Sequence, residues 1–499
     1  MAFNFLQNLF QDEDKFDSDD GEFFDDIAEI DNESDIGEEL IQDLRQDIGD
    51  NTNTSISSYD DVLSMDGDNA TPHHPTPQPC SSGDRVWSQQ LDGINIEPFI
   101  EDTGPVNDID IDSMYSPFDY LSLFLPETFF KDWADQTNAY ADLKIFEKAD
   151  PKRKPVSSDD TKIFLYVNYM FGIHQLPTYR MFWSKDELVN VPAVSNIISR
   201  NRFESISKYL HLSDNSKCIP RGQDGYDAIW KVRPLFDLIL FRSRELLRPE
   251  QDISIDEAMV AFTGRLHFKQ YIKNKPSPRG IKIWCAADPH SGYLHNFEVY
   301  TGKSTIQMKD GLGHHVVTTI GQPYLDKHHH FYFDNFFSSI KLAEDLLSRQ
   351  TYCCSTIRPN RKGWPVDFKT LKLKKSEYQM RQIGNLVACF WQDKRSVTVL
   401  STNCQPTMTT TQRRTVGGRV TVDLPTPVHT YNKGMGGVDL HDQLRSYYPV
   451  GRRSRKWWRC LLWFLIQTAT INAHILYKKN RSRRQPGEKV LSHLNFRLD

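Results

Sequence analysis

Apolar positions along this chain change their period as the sequence advances. Over residues 116–250 they recur every three or four places, which predicts helices with one core face. FLPETFFKDWADQTNAYADL opens with Pro126, suited to a first turn, and Ser158 precedes DDTKIFLYVNYMFGIH, whose acids fall in the first turn. SNIISRNRFESISKYLHL continues the pattern with Arg200, Arg202 and Lys208 among its apolar positions, and Pro234 starts or kinks a helix in YDAIWKVRPLFDLILFRSRELLRP. Over 251–355 the runs shorten. DISID alternates, KIWCAAD and YLHNFEVYTG flank the turn PHSG, and HFYF leads into a helix predicted from about Ser339 to Ser348, with Asn335 and Ser338 as caps. Residues 356–430 hold the β-rich KLKKSEYQMRQIGNLVACFWQDKRSVTVLST, and 431–480 return to helix. This mixture predicts an α/β protein.

Composition divides the chain differently. Residues 1–115 carry 30 of the 66 acidic residues and 3 of the 60 basic ones, so the formal charge of −6 conceals a body of about +21. A basic body suggests a polyanionic partner, and the acidic stretch a competitor for it. Residues 1–115 also contain the Pro-rich TPHHPTPQP and too little apolar surface to offset the entropy of ordering, so they read as a disordered solubilising tail. Phe3, Phe5, Leu6, Leu9 and Phe10 suit a short binding helix, the less favoured reading. Eight cysteines are scattered without a CxxC pair, against a zinc module or disulfide framework and for a reducing compartment. The N-terminus has no basic n-region, and the longest apolar run, LLWFLI, is broken by Gln467, Thr468 and Asn472, so no secretory signal or membrane span is expected.

The candidate chemistry lies in three carboxylates. Asp256 ends DISID opposite Ile253 and Ile255, and Asp334 follows HFYF at a strand end. Asp439 follows the flexible Gly434, Gly436 and Gly437 and opens VDLHDQLRSYY, where Asp442 shares its helix face. A lone Asp in such places is usually a cap or turn residue. Several converging on one point would suit two divalent ions gripping a phosphodiester, and magnesium needs only a few oxygen ligands. Asp288, in the turn PHSG, reads as a turn former.

Two cationic stretches stand out. GRLHFKQYIKNKPSPRGIK places Arg265, Lys269, Lys273, Lys275, Arg279 and Lys282 after Asp256, interleaved with Phe268 and Tyr271. Arg452, Arg453, Arg455 and Lys456 precede Trp457 and Trp458. Either stretch is a solvated surface or a seat for a phosphate backbone, and a Trp beside such charges either packs or stacks on an unpaired base. KKNRSRR, residues 478–484, reads as a nuclear localisation patch or DNA contact. His328–His330 read as a loop feeding the Asp334 strand rather than a metal site, since three successive residues cannot point one way. No phosphate-binding loop or dinucleotide fingerprint occurs, so no nucleotide cofactor is expected.

The blocks IDEAMVAFTGRLHFKQYIKNKPSPRGIKIW, FYFDNFFSSIKLAEDLL and YNKGMGGVDLHDQLRSYY, then RKWWRCLLWFLIQTATINAHILY, resemble those of piggyBac transposases and their domesticated relatives, over roughly residues 120–480. The resemblance implies an RNase H-like catalytic core (251–355 and 431–480), a helical dimerisation and DNA-binding domain (116–250), a β-rich insertion domain (356–430) and a basic tail (481–499). It implies a homodimer acting on double-stranded DNA in the nucleus, cutting and joining at TTAA with two Mg²⁺ ions, for which Mn²⁺ substitutes. Asp256, Asp334 and Asp439 fall on the family's catalytic acids, Asp442 on an additional metal-binding acid, and Trp457 on a functional Trp. Where family members often have Pro after that Trp, this chain has Trp458. Family transposases usually run on into a cysteine-rich zinc domain that recognises transposon ends. No Cys/His pairs follow NAHILYKK here, which motivates the alternative of a domesticated, catalytically idle DNA-binding protein.

Overall fold

The computed structural model describes residues 86–106, 116–273, 275, 277–302, 308–415, 418–484 and 489–499. The tail expected over residues 1–85 and 107–115, including the apolar positions near Phe3, lies outside the described residues.

The longer helices of the first half are α1 (Pro117–Phe124), α2 (Glu127–Glu147), α3 (Ser158–Ile173), α4 (Arg200–Tyr209) and α5 (Arg233–Glu245). Two begin with reciprocal caps. Ser116 pairs with Asp119 and Ser157 with Asp160, each hydroxyl accepting from the third helical N–H while that residue's carboxylate accepts from the cap N–H. The cap of α3 is therefore Ser157, one residue before the expected Ser158, because only from there does Asp160 reach back. Pro234 starts α5 rather than kinking it.

A mixed sheet follows, with α6 (Leu312–Gly321) and α7 (Ile340–Ser348) between its strands; α7 is capped by Ser339, not by Asn335 or Ser338. Its first part is β1 (Asp252–Ala261), β2 (Arg279–Ala287), β3 (Leu294–Val299), β4 (His330–Phe333) and β5 (Tyr352–Thr356), in the order β3-β2-β1-β4-β5. β1, β2 and β3 are antiparallel neighbours, whereas β4 and β5 are parallel to β1 and to each other. The β-rich segment does not stand apart. β6 (Tyr378–Ile383), β7 (Leu386–Gln392) and β8 (Ser396–Ser401) extend the same sheet through β8 on β5, while the hairpin β9 (Met408–Thr415) and β10 (Gly418–Pro425) pairs separately. β1 runs five residues past Asp256 and is buried along almost its whole length, because both faces of the sheet are covered. The alternation read in DISID marks only its first half.

Residues 86–106, expected within the disordered tail, belong to the fold. Ser88 bridges Gln382 on the outer edge of β6, Trp87 Nε1 donates to the Gly363 carbonyl (2.8 Å), and Glu97 N donates to the Tyr352 hydroxyl (2.7 Å). Their isolated aromatic and aliphatic residues carry no periodicity, so composition hides a segment that covers a sheet edge.

Four helices complete the chain: α8 (Thr426–Gly434), α9 (Gly437–Tyr447), α10 (Trp457–Arg484) and α11 (His493–Leu498). Helix α10 has a stretch apolar and long enough to cross a membrane, but 94% of it is buried inside the protein. Its polar residues find partners there. Asn472 accepts from Leu294 N (3.0 Å) and donates to Leu294 O (2.9 Å) and Ser243 Oγ (3.0 Å), tying α5, the edge strand β3 and α10 together. Lys479, in the basic KKNRSRR, pairs with Glu250 at 2.5 Å.

Asn472→Ala leaves the Leu294 backbone and the Ser243 hydroxyl without these partners. At roughly 1–3 kcal/mol for each buried polar group stranded, a loss of about 2–4 kcal/mol is expected. Urea denaturation of the purified variant measures it; a loss below about 1 kcal/mol would mean that solvent replaces Asn472.

Candidate active site

The parallel pairing of β1 with β4 brings the first two carboxylates together. Asp252, Ile253 and Ser254 align with His330, Phe331 and Tyr332, and Asp334, just past the end of β4, lies near enough for its charge to act on Asp256. β4 ends at Phe333, where Asp334 Oδ1 accepts from Phe336 N (2.8 Å) and turns the chain. Asp256 lies mid-strand, 9% exposed, and accepts from Glu257 N at 2.8 Å.

Asp439 arrives from the other side. It is exposed in the first turn of α9, which packs on β1. Two of the preceding glycines provide proximity, whereas Gly436 has open space beside it. A Cβ on Gly434 would sit 2.3 Å from the Tyr332 ring, and one on Gly437 would sit 2.9 Å from Asp288 O and 3.0 Å from Ser254 Cβ. Ser254 Oγ donates to Met435 O at 2.7 Å and seals the contact. Asp442 is engaged elsewhere: it pairs with Arg445 at 2.9 Å, and Arg445 also donates to Met259 O. Asp288 is the turn former expected, accepting from His290 N, Ser291 N and Ser291 Oγ.

The site is crowded with negative charge. Burial first, then the carboxylates of Glu257 and Asp334, push Asp256 up to about 8. Burial also raises Asp334, with Glu257 adding to the effect. Glu257 is the member that no sequence pattern singles out, although it stands next to Asp256. It is held between two lysines: Lys275 Nζ is 3.4 Å from Glu257 Oε1 and donates to the Glu257 carbonyl at 3.3 Å, and Lys282 Nζ is 3.9 Å from Oε2. Burial works to lower Lys275, but the charges of Asp256, Glu257 and Asp439 hold it above its ordinary value. Burial lowers Lys282, which also stands 4.0 Å over the Trp284 ring. Tyr431 faces the same carboxylates, and burial raises its phenol.

Among the described residues, no three His, Cys, Asp or Glu side chains stand close enough to hold a metal ion between them. The donor chemistry nonetheless suits a hard divalent cation: Asp256 and Asp334 strain against each other's charge, and Lys275, on which Asp439 also acts, supplies the counter-charge.

Lys275 and Lys282, expected on a DNA-facing surface, thus turn toward the carboxylates because buried acids attract them. Lys269 caps the Thr263 and Gly264 carbonyls, and Arg279 lies over Tyr271. Arg265, Lys273 and Arg279 are exposed. In the second cluster Arg452 stacks 3.6 Å over the Tyr179 ring, Arg453 and Arg455 are exposed, and Lys456 is half-buried. Trp457, half-buried, meets Phe268 edge-on at 5.9 Å, which joins the two basic stretches, while Trp458 is 4% exposed. His329 and His330 are buried, with His330 3.6 Å from Asp252.

A family model described as transposase IS4 matches residues 116–474. The chain is 31% identical over 408 residues to human piggyBac transposable element-derived protein 3, covering 79% of this chain and 65% of the relative. It is 28% identical over 378 residues to human piggyBac transposable element-derived protein 2, covering 73% and 62%. It thus spans a little under two thirds of both relatives. A cryo-EM structure of a piggyBac transposase synaptic complex with hairpin DNA superimposes with a TM-score of 0.69 at 27% identity, covering 80% of this chain and 81% of the other.

Asp256 gives the metal-free protein a distinctive pH dependence. Its folded pKa lies above its unfolded value, so between about pH 4 and 8 the folded state binds the extra proton. The stability this group confers is fully present below about pH 4 and is lost as pH rises through about 8. In chelator, unfolding free energy measured from about pH 5 to 8 should therefore fall less steeply in Asp256→Asn than in the unaltered chain. Equal slopes would show that Asp256 is not a strained acid.

Proposed function

We propose that this chain, which belongs to the piggyBac-type transposase IS4 family, cuts double-stranded DNA and joins it to new sites. The observation that supports this reading is that Asp334, just past the end of β4, acts on the buried Asp256 of the neighbouring β1, while α9, packed on β1 at Gly437, carries an Asp439 whose charge reaches Lys275 beside them. We take the β3-β2-β1-β4-β5 order, antiparallel then parallel, as an RNase H-like core.

In this reading Asp256, Asp334 and Asp439 hold divalent cations, Mg²⁺ with Mn²⁺ as a substitute. Bound there, such ions supply Lewis-acid stabilisation of the attacking and leaving oxygens of a phosphodiester. The protein's own groups do the rest. The sheet brings Asp256 and the end of β4 together, so the donors have only a short way to close around an ion. Phe336 N orients Asp334, and Glu257 N orients Asp256. Asp442, committed to Arg445, serves first to anchor α9 and is an additional donor only when that ion pair opens.

DNA follows from the exposed Arg265, Lys273, Arg279, Arg453 and Arg455 on two segments that meet at Phe268 and Trp457. The half-buried Trp457 ring, edge-on to Phe268, would stack on an unpaired base in this reading. We extend the proposal to TTAA targets, to a homodimer assembled through residues 116–250, and to the nucleus. The matched structure's complex with hairpin DNA supports DNA as the partner; the targets, the dimer and the nucleus are carried over from the family resemblance and concern the whole protein.

The test is metal-dependent nicking and strand transfer on TTAA-containing DNA. Asp256→Ala and Asp334→Ala are expected to lower both by roughly 10²-fold or more, while salt-sensitive DNA binding stays within about twofold. Activity that survives both substitutions would overturn the assignment. No activity in the unaltered chain, with DNA binding retained, would favour a transposase-derived DNA-binding protein instead.

A further inference from the structure

Lys275 and Lys282 serve the carboxylates rather than a DNA surface, and Lys275 is the less enclosed of the two. Its side chain is 23% exposed, against 13% for both Glu257 and Lys282. It makes two contacts to Glu257, one with the carboxylate and one with the backbone carbonyl, so it is pinned at the residue whose N–H orients Asp256. A single ion pair on a loop would read as surface decoration. A lysine anchored to both the carboxylate and the backbone carbonyl of Glu257, the residue next to Asp256, does not.

The physical problem it meets is specific. Without a metal, Asp256 and Asp334 stand near one another with Glu257 adjacent, and burial denies them water. Some positive charge must offset this for the site to stay assembled. Lys282 contributes, but it is held flat against the Trp284 and Phe336 rings at 4.0 and 5.1 Å, which fixes it in place. Lys275 comes from the excursion between β1 and β2, and its anchor is Glu257 alone rather than a pair of rings.

We propose that Lys275 is a resident counter-cation: it neutralises the Asp256–Glu257–Asp334 cluster in the metal-free protein and competes with divalent ions for those carboxylates. Metal entry then releases its ammonium from the cluster, close to where a phosphate arrives. The charge of the cluster is thereby balanced before metal and DNA bind. The inference rests on the reading of Asp256 and Asp334 as metal ligands, but its first half concerns the metal-free chain alone.

Two measurements on the full chain separate those halves. In chelator, Lys275→Gln should lower Tm by about 2 °C or more. In the double variant with Glu257→Gln the two losses should not add, since removing both charges of the contact removes the mismatch. Additive losses would overturn the counter-cation role. In Mn²⁺ titration followed by calorimetry, Lys275→Gln should bind Mn²⁺ roughly three- to tenfold tighter than the unaltered chain, because no ammonium needs displacing. Weaker or unchanged binding would overturn the competition. If neither protein binds Mn²⁺ while the Tm coupling persists, the metal-site reading fails and the ion-pair role survives.

Discussion

Two carboxylates set near one another in a buried place are costly, and much of this protein can be understood as the means of holding them there. Parallel pairing of β1 and β4 brings the end of β4 toward Asp256 through backbone hydrogen bonds, and the Phe336 N–H holds the Asp334 carboxylate in the turn that follows. Central strands suit this purpose because neighbours on both sides fix their register. The cost appears as acids held above their ordinary pKa, and it is offset by ammonium groups drawn inward from a segment that otherwise looks built for DNA.

The third carboxylate is placed by contact at close range. Helix α9 comes close to β1 where Gly437 lacks a Cβ, the space a side chain would take being filled by Ser254 and Asp288, and α8 comes close to β4 where Gly434 meets Tyr332. The same region is tied to the rest of the molecule through buried polar groups. His441 on α9 bonds the Gly292 carbonyl and Thr468 on α10, and Asn472 of α10 bonds the backbone of β3. A helix with enough apolar character to cross a membrane is thus a core helix, because its polar residues meet partners from different layers.

Several features are legible in the residues themselves. Helical spacing marks α3 to α5, the runs HFYF and KIWCAAD mark strands, and Asp288 is a turn former in the sequence as in the fold. Other readings shift for identifiable reasons. Asp256 is mid-strand because burial on both faces erases the alternation that would show where β1 continues. Residues 86–106 share the composition of an acidic tail, yet they close a sheet edge with a few long-range bonds that leave no local signature. Glycines near Asp439 suggest mobility, whereas Gly434 and Gly437 mark a tight interface, since sequence shows a missing Cβ but not what occupies its place.

Local order along the chain is enough to give the elements, the asymmetric charge and the identity of three acids, because periodicity, caps and motifs are encoded within a few residues of one another. It is not enough to say which acids meet, that Asp442 answers to Arg445, or that Lys275 and Lys282 face inward while Arg265 and Lys273 face out. Those outcomes come from the assembled fold. They depend on strand register, helix approach and burial, and most are relations between residues tens to hundreds of positions apart. A carboxylate's neighbours, and hence its charge, are set by which strand lies beside it.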